Sequence, residues 1–284
     1  MKKSSYIIMI VIIALFAGCT DRQKEEPNPT DLYSGPAQRQ YAYTFDGRSY
    51  LLDFSVYSGL NDYLSNLSRT YVCSPECPTD ETQMRRYLDD QYQAAELDKF
   101  LGLIKSRAAG REDRAKIAIS LVQSIPYDEL SYTQGRALDR YPYQVLYDGK
   151  GVCGEKVRLL AYMLADLGYG TALLYYPREQ HSVLGLKCPA QYSHRGTGYC
   201  FIETTGPTVP TYDLGQYSGF GRLVSDPDVI RLSDGDSYEN IASEYSDAHR
   251  WALLQEKIAQ NKGVLEESDY EQLKKIAAKY GIPT

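Results

Sequence analysis

Histidine, tryptophan and positive charge are all scarce in this chain of 284 residues. It carries three His and one Trp, and 37 Asp and Glu outnumber 31 Lys and Arg, for a formal net charge of -6. No two of His181, His194 and His249 have the close spacing of a catalytic metal pair, so no metal is expected. No basic run is dense enough to neutralise a row of phosphates, which removes nucleic acid as a partner. A glycine-rich phosphate loop and internal repeats are also missing, and no cofactor is expected. Beyond residue 17 no apolar stretch is long enough to hold a bilayer.

The N-terminus sets the compartment. Lys2 and Lys3 precede an apolar run over residues 6–17, too short for a comfortable span, which ends in Phe16-Ala17-Gly18-Cys19. This resembles a lipoprotein signal with its lipobox, with Phe16 where Leu, Val or Ile is usual. The resemblance implies cleavage before a lipidated Cys19 and attachment to the extracytoplasmic face of the cell membrane. The polar stretch from Thr20 to Gln40, with Pro27, Pro29 and Pro36, has almost nothing to bury and reads as a flexible tether. The 27 Tyr, against six Phe, imply much half-buried aromatic surface with wet hydroxyls.

One cysteine stands apart. Cys153, in Gly151-Val152-Cys153-Gly154-Glu155, heads a predicted helix whose Val157, Leu160, Ala161 and Leu164 recur at i, i+3, i+4 and i+7, with Gly168 placed to end it. The helix dipole and the unpaired N–H groups of a first turn favour the thiolate, which is the nucleophilic form. Three strand-length runs follow: TALLYY (171–176), HSVLGLK (181–187) and YCFIETT (199–205), broken by Pro177, Gly196 and Gly206. If the last two pair with His181 opposite Glu203, both side chains share a face, and the carboxylate can orient the imidazole as a base for the sulfur.

With these residues the chain resembles the transglutaminase-like superfamily, over roughly residues 125–206. The resemblance is carried by IPYD (125–128), YPYQVLYDGKGVCGEK (141–156), LLAYMLADLGY (159–169), the strand opened by His181, and YCFIETT, and it looks closest to lipid-anchored or membrane-attached prokaryotic, especially archaeal, members. It implies a papain-like arrangement with Cys153 as nucleophile, His181 as general base and acid, and Glu203 as the orienting carboxylate. The family usually has Asp at the third position. An Asp is therefore expected to serve there at least as well as the longer Glu203, which must retract or tilt. The aromatic segment before the cysteine is where the family often finds a second oxyanion donor, so Tyr143 or Gln144 is expected to supply one. Of the other histidines, His194 in the polar loop QYSHRGTG (191–198) reads as solvated, and His249 as part of a charged helix surface.

With Cys19 assigned to lipid and Cys153 to chemistry, Cys73, Cys77, Cys188 and Cys200 remain, an even number in an oxidising compartment. Two disulfides are favoured, within the proline-bearing CSPECP turn and between the ends of the loop joining the last two strands. A four-cysteine zinc site is the rival, without the paired C-x2-C knuckles such sites commonly have. There is a conflict in the strand register. A ladder that puts His181 opposite Glu203 puts Cys200 opposite Leu184, four residues and roughly 13 Å along the strand from Cys188, beyond disulfide reach. Either the loop folds Cys188 back, a bulge shifts the register, or one of the two pairings is wrong.

The remaining chain frames this core. YAYTF and RSYLLDFSV surround Asp46-Gly47, a hairpin signal. Helices are expected around 82–106, around 112–124 (stopped by Pro126), from about 238 to 260, and from a capping box at Ser268-Asp269-Tyr270-Glu271 onward. The chain thus divides into a lipoprotein signal peptide (1–18), a lipid-anchored tether (19–40), an N-terminal β element (41–80), a transglutaminase-like core (81–212) and a C-terminal helical extension (213–284). The expected fold class is α+β, papain-like, with the cysteine helix packed on an antiparallel sheet. The expected function is a lipid-anchored, extracytoplasmic cysteine enzyme that transfers or hydrolyses an acyl group of a protein or peptide substrate. The competing readings are a non-catalytic cell-surface peptide-binding domain on the same fold, and a structural partner docking through its C-terminal helices.

Overall fold

The computed structural model describes residues 27–70, 73, 76–134, 139–215 and 221–283. The expected signal peptide and Cys19 lie outside the described residues. Helix α1 (Pro29–Leu32) is capped by the Asn28 side chain and leads into the ribbon β1 (Pro36–Phe45) and β2 (Arg48–Tyr57). Asp46 and Gly47 turn the ribbon with φ of 50° and 71°, the left-handed pair that a two-residue hairpin requires. The tether assignment fails over 29–40. Leu32 is buried and residues 36–40 pair with 53–57 through the backbone ladder, with Gln40 bonded to Asp53 at 3.0 Å. A polar strand held by ladder bonds leaves no hydropathy signal.

After α2 (Ser58–Ser65), the single helix expected at 82–106 is two, α3 (Asp80–Leu88) and α4 (Gln91–Lys105). Asp90 divides them, because its carboxylate accepts the Tyr92 and Gln93 N–H groups and so starts a new helix. α5 (Arg111–Ser124) buries Ile117, Ala118, Leu121 and Val122, and ends where Pro126 forbids continuation. Short α6 (Glu129–Thr133) and α7 (Pro142–Asp148) lead to α8 (Cys153–Asp166).

The main sheet is antiparallel, with β3 (Thr171–Tyr176), β4 (His181–Lys187), β5 (Tyr199–Ile202) and β6 (Asp228–Ser233) in the order β5-β4-β3-β6. α8 packs on β3 and β4 with its four-residue apolar stripe wholly buried, each Leu or Val adding on the order of 2 kcal/mol. β6 arises inside the segment read as a C-terminal helical extension and completes the core sheet. α9 (Ala242–Gln260) and α10 (Glu267–Tyr280) close the chain. The Ser268 capping box does not form: α10 starts earlier, with Glu266 at its N-cap. Leu273, Ile276 and Ala277 of α10 pack with Trp251 and Leu254 of α9 and with Val209, so these helices bury their apolar faces on the chain itself. With 47% helix and 20% strand among the described residues, the protein is α+β.

Candidate thiol, imidazole and carboxylate site

Cys153 is the first residue of α8, and a buried ion network fixes that helix end. The Glu155 carboxylate accepts the Val152 and Arg140 N–H groups, each at 3.0 Å, and the Arg140 guanidinium at 2.9 Å. Arg140 also reaches Asp128 at 2.8 Å and Asp148 at 2.6 Å. Burial works to raise the Asp128 pKa, but bonds from Ser131, Arg140 and Lys150 outweigh it and hold the carboxyl at about 2. Losing one member of such a network would strand a buried charge, at a cost of several kcal/mol. Arg140 and Asp128 thus hold the helix end that carries the cysteine without touching it; in the sequence Asp128 stands out only within IPYD, and Arg140 not at all.

His181 opens β4 and is fully buried. Its Nε2 lies 2.8 Å from Oε2 of Glu203, which is also buried, one residue past the end of β5. The other carboxylate oxygen accepts the Thr204 and Thr205 N–H groups at 2.8 and 2.9 Å and the Thr205 hydroxyl at 2.9 Å. Gln123 Nε2 donates to the Glu203 carbonyl at 2.9 Å. Burial alone would lower the His181 pKa. The Glu203 charge and bonds to Cys153 and Glu203 reverse that and push it up to about 10. Burial likewise opposes the Glu203 charge, yet the imidazole and the Thr205 donors bring its pKa below the ordinary value. With Nε2 taken by Glu203, Nδ1 is the nitrogen left for the sulfur.

The expected register is corrected. Leu184 pairs with Ile202 and Leu186 with Cys200, which places Glu203 across from Val183, two residues from His181 along the strand. A shift of two preserves the face, so the side chains still meet, diagonally, and the length of Glu203 supplies the reach. The same shift settles the cysteines. Cys200 now stands two residues from Cys188, their Cα atoms are 5.7 Å apart, and they form a disulfide. Cys73 and Cys77 form the second, and Cys153 is the free cysteine among the described residues. Two disulfides point to an extracellular or periplasmic setting. Among the described residues, no helix is long and apolar enough to cross a membrane.

Three other expectations change. The Tyr143 hydroxyl accepts the Tyr57 N–H at 2.6 Å, and Gln144 is spent on Tyr141, Asn61 and Ser65, so neither serves the cysteine. The hydroxyl beside Cys153 belongs instead to Tyr127, from the IPYD motif. It is buried, finds no oxygen or nitrogen partner among the described residues, and has its pKa raised by burial and then by Cys153. Parallel pairing of Tyr127 with Gly151 ties the two segments together. Third, His194 is buried rather than solvated, with Nδ1 3.0 Å from Asp213 and Nε2 2.7 Å from the Tyr176 hydroxyl. His249 is exposed on α9, its ring against Tyr245.

Tyr127 and Glu203 line a cleft of about 1050 Å³ together with Trp251, Leu253 and Ile258 of α9, and Cys153 and His181 are not among its lining residues. The arrangement can hold an imidazole between a carboxylate and a thiol, and it offers a buried hydroxyl and the free N–H groups of a helix start beside that thiol. No family model matches the chain, and neither a curated protein nor a solved structure matches it.

Proposed function

We propose that the chain is an extracytoplasmic, lipid-anchored cysteine enzyme of the transglutaminase-like type, acting on a carboxamide or peptide carbonyl through Cys153, His181 and Glu203. The observation that carries this reading is buried His181, with Nε2 on Glu203 at 2.8 Å and its pKa raised by Glu203 and Cys153 together. A papain-like core is supported by α8, which brings Cys153 in at its N-terminus while its apolar stripe packs on an antiparallel sheet. The anchor rests on the Cys19 lipobox, and the compartment on the two disulfides.

In this mechanism Glu203 accepts a hydrogen bond from Nε2–H and so turns Nδ1 toward the sulfur, whose proton the raised pKa of His181 draws onto that nitrogen. The thiolate so formed attacks the carbonyl carbon. The N–H groups of the first turn of α8 and the Tyr127 hydroxyl donate to the oxyanion. The imidazolium then gives its proton to the departing nitrogen, the C–N bond breaks, and a thioester forms on Cys153. Water or an amine, deprotonated by Nδ1, attacks the thioester and expels the thiolate. The cleft is larger than most metabolite pockets, which favours a peptide as the acyl donor.

The test is intact-mass detection of an acyl adduct after incubation with peptide libraries. An adduct mapped to Cys153, absent from Cys153→Ala, is expected. Peptide binding without any adduct, equal in the two proteins, would overturn the enzyme reading and leave a binding domain.

A further inference from the structure

Lys156 is 0% exposed, one helical turn after Cys153 and on the same face of α8. Buried lysines are normally paired with a carboxylate, and among the described residues none lies within ion-pair distance of this one. Its Nζ donates instead to the Ile125 carbonyl at 2.5 Å and to the Gln123 carbonyl at 3.5 Å. Both belong to the C-terminal end of α5, where carbonyls lack helical partners and the dipole is negative. The ammonium therefore caps α5 from inside the core.

The capped segment bears directly on the site. Gln123 holds the Glu203 carbonyl with its side chain, and two residues beyond Ile125 is Tyr127, beside Cys153. The groups that face Lys156 are the two α5 carbonyls, Cys153 on its own helix and Glu203 beyond β5, with His181 of β4 bonded to Glu203 and interacting with Cys153. Desolvation pulls the Lys156 pKa down to about 7, while Glu203 and Cys153 act to keep the proton on.

Resting on the function proposed above, we propose that Lys156 is a positioning residue of this site: its buried ammonium fixes the 123–127 segment against α8 and places a positive charge behind the Cys153 sulfur. A cap alone would affect stability. A cap that is also a charge must change the protonation of Cys153, and by linkage Cys153 must change that of Lys156.

The experiment compares the rate of Cys153 alkylation by iodoacetamide, as a function of pH, in the full protein and in Lys156→Met. A unit charge one helical turn away is worth roughly tenfold in a protonation equilibrium. The variant should therefore react roughly tenfold more slowly near neutral pH, with its profile displaced upward. An unchanged profile in a folded variant overturns the proposal. If Lys156→Met does not fold, the Lys156 Nζ titration is followed by nitrogen NMR in the wild type and in Cys153→Ala. The midpoint should fall in the variant, and identical titrations overturn the proposal. His181→Ala reports separately on the enzyme reading, because alkylation that does not depend on His181 sinks that reading whatever Lys156 does.

Discussion

Two buried histidines, His181 in β4 and His194 in the loop between β4 and β5, each have a carboxylate, and they differ in the third partner. His194 has Asp213 at 3.0 Å on one nitrogen and the Tyr176 hydroxyl at 2.7 Å on the other. Tyr176 is itself buried, which raises its pKa and keeps the phenol protonated. His181 has Glu203 on one nitrogen, and Cys153, at the start of α8, as its further partner. The first set is satisfied and closed, so it holds the 211–215 segment to the sheet. The second leads to the Cys153 thiol, the nucleophile of the function proposed above. A histidine and carboxylate pair is therefore not itself the signature of chemistry; what stands at the other ring nitrogen decides.

The largest effect that would break this comparison is on turnover. His181→Ala should lower acyl-adduct formation by roughly 10²–10⁴-fold with the fold intact, whereas His194→Ala should leave the rate within a few-fold. The cost of His194→Ala should appear in denaturant unfolding, at about 1–3 kcal/mol, since Asp213 and Tyr176 lose their buried partner. Next comes Glu203. Glu203→Gln should lower turnover by roughly 10²–10⁴-fold, because an amide no longer enforces the tautomer with Nε2–H. The diagonal register reverses the expectation for Glu203→Asp. The shorter side chain cannot span two strand positions to His181, so its turnover should also fall, and wild-type rates in that variant would contradict the contact.

A smaller effect is the pH dependence of stability. His181 has a raised pKa, so its contribution is fully present below about 6.5 and is lost as pH climbs through about 10. Glu203 has a lowered pKa, so its contribution is present above 4.5 and is lost as pH falls through its depressed value. The Tm difference between wild type and His181→Ala/Glu203→Gln should thus be greatest between about pH 4.5 and 6.5 and shrink on either side. Smaller again, removing the Cys188–Cys200 bond should cost about 3 kcal/mol in unfolding, and the shorter Cys73–Cys77 loop less.

Much of the site was legible because local chemistry dictates it. The stripe Val157, Leu160, Ala161 and Leu164 determines the helix that starts at Cys153, and Asp46-Gly47 can hardly do other than turn a hairpin. What escaped is what only tertiary pairing decides. The register of β5 on β4 is invisible to a pattern of period two, since a shift of two residues leaves every side chain on its face. Of the three ways out of the Cys188–Cys200 conflict left open by the sequence, the structure takes a changed pairing, with Cys200 opposite Leu186 and the disulfide formed. β6 escaped because DVIRLS is an edge strand, mostly exposed, between Pro227 and Asp234-Gly235. Tyr127 and Lys156 escaped because a tyrosine after a proline and a lysine in a helix are ordinary until the fold buries them beside a thiol. His194 was misread for the same reason, its polar loop being folded under Phe201 and Tyr176.

The central claim is that His181, and not His194, makes Cys153 reactive. It is tested most directly by the iodoacetamide alkylation rate of Cys153 near pH 6, where an ordinary thiol with a pKa of about 8.5 is nearly inert. The account predicts fast modification in the wild type and in His194→Ala, and slow modification in His181→Ala. Equal rates in the wild type and His181→Ala would contradict it.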